Sequence, residues 1–276
     1  MIETERKRIV ICADDFGMNS AVDDAIFQLG GMGRLNAASC LTQGPSFSDG
    51  AVALRQSALS CGVHLNFTER MSDDDGIYLP IGRLIRQAWL RRLDPAAVRA
   101  QIVAQLDRFE EHMLRAPDFV DGHQHVHQFP VIREALLQIL AQRYGARRPW
   151  LRSTVAASLS GMPWTTRYKA HLIAALGAHR LRRMARAGAY AQNRRFLGVY
   201  DFKGGAASYA PLMQQWLGLA RSQDLIMCHP ATRAVPGDAL GEQRRAEYEL
   251  LSGQAMSDWM EQQAIVLAAL HSPGRP

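Results

Sequence analysis

RIVICADDFGMNSAVDDAI, residues 8–26, decides how the rest of the chain is read. Arg8–Ala13 is an apolar run of strand length. Ser20 then heads a helical stretch in which Val22, Ile26 and Leu29 fall on one face. Between strand and helix stand two consecutive acids, Asp14 and Asp15. A buried strand followed by an amphipathic helix is the repeating unit of a parallel sheet.

The same alternation continues along the chain. Ala37–Leu41 and Ser60–Leu65 read as the next strands, with a helical segment around Phe47–Gln56 between them. Asp94 is a good N-cap for a helix to Leu114, Pro95 suits its first turn, and Val98, Ile102, Leu106, Phe109 and Met113 recur at helical spacing. Phe119–His123 predicts a fourth strand, followed by a helix from Pro130 to about Tyr144. Trp150–Ser153 predicts a fifth strand, with a long helix over Thr165–Ala189. Arg195–Phe202 predicts a sixth, with a helix near Tyr209–Arg221. Asp224–His229 predicts a seventh, and two helices finish the chain. Seven strands alternating with helices define an α/β protein with a mostly parallel sheet, open or closed. Asp73–Gly76 reads as a loop tip. No repeat, low-complexity tract or linker divides residues 1–276, so a single domain is expected.

Composition fits this reading. With 276 residues, 47% hydrophobic and 21% charged, the chain can bury a sizeable core. No apolar stretch approaches the roughly 20 residues of a membrane span, and MIETERKRIV lacks the apolar segment of a signal peptide, so a cytoplasmic location is expected. Cys12, Cys40, Cys61 and Cys228 lie in strand-like segments without a CxxC pair, as buried small hydrophobes rather than a disulfide framework or a nucleophile. The formal charge of +6 gathers in Arg143–Arg148 and Arg180–Arg195. Such a surplus favours anionic partners in general, but no nucleic-acid-binding module accompanies it, and nucleic acid is not an expected partner.

Titratable groups finish four of the strands: Asp14 and Asp15 after the first, His64 at the third, His123 at the fourth, His229 at the seventh. In parallel α/β architectures these strand ends share one mouth. Each residue has a plainer reading. The aspartates can cap the following helix, a task Asn19 or Ser20 could share, and His64 or His229 can be a hydrogen-bonded core histidine. DGHQHVH is less easily explained by packing. In an extended segment His123, His125 and His127 project from one face, and three imidazoles there point to a metal or to catalysis. The remaining histidines, His112, His171, His179 and His271, are read as surface residues. Two imidazoles and a carboxylate leave coordination positions open for water and substrate. Asp14 could take a proton from that water, and His229 could protonate a leaving amine. Spacing alone does not choose His123 over His125 as the ligand.

With ADDFGMN (Ala13–Asn19), GVHLNFTE (Gly62–Glu69), DGHQHVHQFP (Asp121–Pro130), LRS (Leu151–Ser153) and MCHP (Met227–Pro230) in this order, the chain resembles the YdjC-like carbohydrate deacetylase family. That family includes chito-oligosaccharide deacetylases and hopanoid-associated HpnK-like proteins. The resemblance implies an irregular TIM-like (β/α) barrel, often a homodimer, with one divalent metal ion (magnesium or zinc) on Asp15, His64 and His123. It also implies Asp14 as base, Arg152 orienting it, His229 as acid, and His125 and His127 beside the substrate or behind the ligands. Gln124 stands where some relatives carry another histidine. The implied substrate is an N-acetylated sugar, as an oligosaccharide or a glycolipid. Two other readings stand beside it: metal-dependent hydrolysis of another bond such as a phosphoester, and a non-catalytic sugar-binding module. The basic stretch with Arg180, Arg182, Arg183 and Arg186 near Leu181 and Met184 reads first as a solvated helix face and also permits weak contact with anionic lipid, and Trp89, Trp150, Trp164 and Tyr168 are either core or apolar faces for a sugar ring.

Overall fold

In the computed structural model, which describes residues 6–270, the first strand is the centre of the molecule. β1 (Lys7–Phe16) is buried from Ile9 onward and is followed by α1 (Ser20–Gly31). Next come β2 (Ala37–Cys40), α2 (Phe47–Gln56), β3 (Ser60–Leu65), α3 (Ile81–Trp89) and α4 (Pro95–Met113). β4 (Phe119–Gly122), α5 (Ile132–Tyr144), β5 (Trp150–Leu151), α6 (Trp164–Ile173) and α7 (His179–Ala187) follow. The chain continues through β6 (Phe196–Leu197), α8 (Gly205–Leu219), β7 (Leu225–Cys228), α9 (Gly241–Ser252), α10 (Gln254–Gln262) and β8 (Ile265–Leu267).

All strand pairings are parallel, in the order β5-β4-β3-β2-β1-β7-β6, with β8 joining the lower half of β1. The sheet curls, and isolated parallel bridges Leu151–Gln192 and Ala156–Phe196 tie its two edges. The result is the expected irregular (β/α) barrel. The apolar face of α4 is wholly buried, and Asp94 Oδ1 accepts from Ala96 N at 2.9 Å, as its capping position requires. Trp150 stacks on Phe119 at 4.4 Å between ring centres and belongs to the core. Trp89, Trp164 and Tyr168 are exposed.

Several elements differ from the sequence expectation. The fourth strand stops at Gly122, and His123–Gln128 coils into a short 3-10 turn with left-handed Gln124 (φ 50°) and His125 (φ 61°). The long helix over Thr165–Ala189 is interrupted by a π turn, Ala174–Ala178, at Gly177 (φ 137°). A side chain there would meet the carbonyl oxygen of Gln128 at 2.3 Å. The sixth strand keeps only Phe196–Leu197, since the chain turns away at Gly198 (φ 95°). α3 and β8 were not anticipated. His271 lies outside the described residues.

The four cysteines are buried and unpaired, and burial pushes each thiol up, away from thiolate character. Among the described residues no helix is long and apolar enough to cross a membrane.

The turn that carries Asp15 depends on Gly17, whose φ is 93° and whose added Cβ would lie 2.8 Å from both Leu41 O and Phe47 Cβ. Gly17→Ala is expected to destabilise the protein by about 1–3 kcal/mol, from backbone strain and this close approach. Denaturant unfolding checks this, and an unchanged midpoint would contradict it.

Candidate active site

The capping explanation for the first-strand acids does not hold. Asn19 caps α1, accepting from Val22 N at 3.1 Å, and Asp23 Oδ1 accepts from Gly17 N at 2.6 Å. Asp14 and Asp15 are buried at the C-terminal end of β1, where the register with β2 shifts between Ala13 and Phe16. Asp15 adopts φ 70°, so the two neighbours meet different partners.

Asp15 Oδ1 lies 3.0 Å from His123 Nδ1 and 3.4 Å from His64 Nε2. One ligand atom from each of these three buried residues lies within 4.8 Å of the others, a group that could hold a metal ion. His64 is turned to that task from behind: its Nδ1 lies 2.7 Å from Asp121 Oδ1 and 2.9 Å from Ser39 Oγ, leaving Nε2 toward Asp15. A carboxylate behind an imidazole fixes its tautomer and raises its basicity as a ligand. His123 is held similarly, with Nε2 3.1 Å from Glu69 Oε1.

The charge balance fits a cation. Asp14, Asp15, Asp121 and Glu69 outnumber the guanidinium groups of Arg152 and Arg244 that meet them. Burial opposes a charge on both histidines, yet Asp121 and Asp14 lift His64 to about 10, and Asp15 lifts His123 to about 9. The carboxylates therefore draw positive charge to this point, which a divalent ion supplies without protonating its ligands. Burial likewise opposes the Asp15 carboxylate, but Arg244 and His123 hold it well below the usual carboxylate range.

A second group of possible ligands, Cys12, Asp14 and Asp121, lies alongside. Its positive charge is already present. The fully buried Arg152 donates to Asp14 through Nη1 and Nη2, both at 2.6 Å, reaches Asp121 Oδ2 at 2.5 Å, and points Nη2 at Cys12 Sγ at 3.0 Å. This bidentate grip fixes the plane of the Asp14 carboxylate. His229 Nε2 is 3.9 Å from Asp14 Oδ2, with its ring edge against Phe202. Burial pushes its imidazole down to about 4, so it is neutral at pH 7.

The turn after β4 corrects the idea that His123, His125 and His127 project together from one face. Left-handed Gln124 and His125 break the alternation. His123 faces Asp15, His125 packs edge-on against Phe196 at 5.4 Å, and His127 donates from Nε2 to the Arg152 carbonyl at 3.0 Å. His125 is not in the three-residue group, and burial pushes it and His127 down.

Sequence reasoning missed Ser39, Asp121, Glu69, Arg244 and Glu247. Asp121 and Glu69 stood inside quoted motifs, Asp121 two residues before His123 and Glu69 five after His64, and each meets the other motif's histidine. Arg244 and Glu247 come from α9. Arg244 Nη2 donates to Asp15 Oδ2 at 2.6 Å, and Nε lies 2.9 Å from Asp238. Three residues on, Glu247 accepts from the backbone N–H of His229 at 2.6 Å and from the Tyr200 hydroxyl; burial raises its carboxyl to about 7.

A parallel barrel with a carboxylate–imidazole cluster at its C-terminal strand ends defines the class: an α/β-barrel protein with a candidate mononuclear metal site. More narrowly, the chain belongs to the YdjC-like protein family, whose sequence profile matches residues 8–262. It is 32% identical over 156 residues to a carbohydrate deacetylase of Mus musculus, covering 51% of this chain and 49% of that protein. It is 29% identical over 171 residues to the Homo sapiens carbohydrate deacetylase, covering 58% and 52%. A chitooligosaccharide deacetylase of Salmonella paratyphi B is 28% identical over 141 residues, covering 49% and 56%. These matches thus span about half the length of each relative. Among solved structures, an Enterococcus faecalis V583 protein with a suggested role in cellobiose-phosphate cleavage superposes with TM-score 0.70 at 21% identity, covering 96% of this chain and 97% of that one. That likeness establishes the shared fold.

The Asp121–His64 contact makes a direct prediction. Asp121→Asn should weaken divalent-metal binding by about 10–100-fold, the usual effect of losing a carboxylate behind a ligand. Calorimetric titration of folded, metal-stripped protein measures it, and unchanged affinity would separate Asp121 from the metal site.

Proposed function

We propose that this protein is a metal-dependent hydrolase that removes the acetyl group from an N-acetylated sugar, releasing acetate and a free amine. The observation that carries the reading is the placement of Asp14, gripped by Arg152 and 3.9 Å from His229, directly beside the Asp15–His64–His123 group. Family membership and the carbohydrate deacetylases among the relatives support it.

A divalent cation at Asp15, His64 and His123 would supply Lewis acidity, polarising the acyl oxygen and lowering the pKa of water. The chain's own groups carry the protons. Asp14, fixed in orientation by Arg152, accepts the proton of the attacking water as its oxygen bonds to the acyl carbon. An unprotonated amine leaves poorly, so the nitrogen needs a proton before the C–N bond breaks. The neutral ring of His229 takes up the proton held by Asp14 and delivers it to that nitrogen, which returns both residues to their starting charge. Arg244 keeps Asp15 ionised, and Glu247 anchors the backbone of His229.

Phosphoester hydrolysis with paired metals fits less well. The neighbouring Cys12–Asp14–Asp121 group, the natural place for a second ion, already surrounds Arg152. One bound metal per chain is expected, and a bridged pair would favour the phosphoester reading.

Metal-loaded protein is expected to release acetate from N-acetylglucosamine oligosaccharides or glycolipids; no acetate from a broad panel of either would overturn the proposal. Asp14→Asn should lower kcat by about 10²–10⁴-fold with the metal retained. Near-normal turnover would remove Asp14 as base. His229→Ala should impair amide cleavage far more than cleavage of an acetyl ester with a good leaving group, which needs no proton. Equal losses on both would contradict its role as acid.

A further inference from the structure

Among the described residues eight large hydrophobic side chains stand exposed, and five of them lie on α6 or at the end of α3. Trp164, Tyr168 and Leu172 are 74%, 63% and 48% exposed. Spaced four residues apart on α6, they form one stripe, while Thr166 and Ala170 face inward. Trp89 and Leu90, at the end of α3, are 51% and 55% exposed. Trp89 shares with Arg133, Ala174, Ala175, Arg180 and Arg183 a cleft of about 400 Å3, which joins α3 to the α6–α7 junction. Grouping of this kind, unlike scattered single residues, marks an interaction surface.

The helices that carry it, α3, α6 and α7, hold arginine and lysine and no acid. Between residues 122 and 200 the sequence holds 13 Lys and Arg against a single acid, Glu134. Arg86, Arg92, Arg167, Arg180 and Arg183 are exposed, and Arg91 reaches Glu134 only at 3.7 Å. The arginine stretch whose sequence permits weak contact with lipid is redrawn by the fold. Leu181 is buried and Arg182 is committed to Ser153 Oγ and the Arg194 carbonyl, so the cations available outward are Arg180, Arg183 and Arg186.

A second copy docking through this face in a twofold dimer would set the same cations against each other. A phosphate backbone would use the cations but leave Leu90 and Leu172 unmatched. Tryptophan, tyrosine and leucine beside arginine suit the boundary between lipid headgroups and acyl chains. The face also lies next to the candidate active site: from α6, Lys169 Nζ donates to the Tyr200 carbonyl at 2.5 Å and stands over the Phe202 ring, which itself packs on His229.

We propose that α6, with the end of α3 and the start of α7, docks reversibly onto an anionic lipid bilayer. Trp164, Tyr168 and Leu172 enter the headgroup region and Arg180 and Arg183 meet lipid phosphates. This docking is independent of the proposed reaction, and its test requires no turnover.

The full chain should co-sediment with vesicles of phosphatidylcholine and phosphatidylglycerol at low salt, and at least about fivefold less with phosphatidylcholine alone or at high salt. Trp164→Ser with Tyr168→Ser, and separately Arg180→Glu with Arg183→Glu, should each abolish binding while the melting temperature stays near that of the parent. Tryptophan emission should shift to the blue on binding, and Trp164→Phe should remove most of that shift. No binding to anionic vesicles at low salt overturns the proposal, as does equal, salt-resistant binding to both vesicle types. A dimer in sedimentation equilibrium that the aromatic double variant dissolves would overturn it in favour of a second copy as occupant.

Discussion

Arg152 carries a full charge with no exposed surface, and the site is organised around that fact. An isolated ion in the interior costs several kcal/mol, and removing one partner of a buried pair typically costs about 3–5 kcal/mol. Arg152 is matched by Asp14 on one side and Asp121 on the other. Through Asp121 the same constraint reaches His64, whose Nδ1 is engaged by that carboxylate. One guanidinium therefore sets both the plane of the proposed base and the tautomer of a proposed metal ligand. It also makes the Cys12–Asp14–Asp121 group unsuitable for an ion while leaving the Asp15 side short of positive charge.

Two adjacent aspartates acquire different chemistry through different cations. On a regular strand, consecutive residues would face opposite ways. Here the register shift and the positive φ of Asp15 bring both to the strand end. Asp14 turns to Arg152; Asp15 turns to Arg244, His64 and His123. α9 supports this division with two residues three positions apart, Arg244 on Asp15 and Glu247 on the backbone of His229. A single helix thus spans the proposed metal ligand and the proposed acid.

Elements with strong local patterning were legible from sequence. α2 and β3 match their expected bounds, and α4 does so to within a residue at each end, because capping and apolar spacing act within a few residues. The convergence of Asp14, Asp15, His64, His123 and His229 was also legible, since parallel strand ends share a mouth. What escaped depends on contacts between distant segments. The alternation of His123, His125 and His127 suggested one extended face, but left-handed backbone at Gln124 and His125 turned them to three environments. Gly177 resembles an ordinary helical glycine until the Gln128 carbonyl is placed against it. Arg244 and Glu247 sit in GEQRRAEYELL, which reads as a solvated helix face, and their burial is visible only once α9 is docked.

The proposed chemistry requires a cation held at one point among these charges. Anomalous diffraction from crystals grown with manganese or zinc locates that point most directly. One peak should appear within bonding distance of Asp15 Oδ1, His64 Nε2 and His123 Nδ1, with Arg152 still on Asp14 and Asp121. A peak among Cys12, Asp14 and Asp121 with Arg152 displaced, or none near Asp15 at saturating metal, would contradict it.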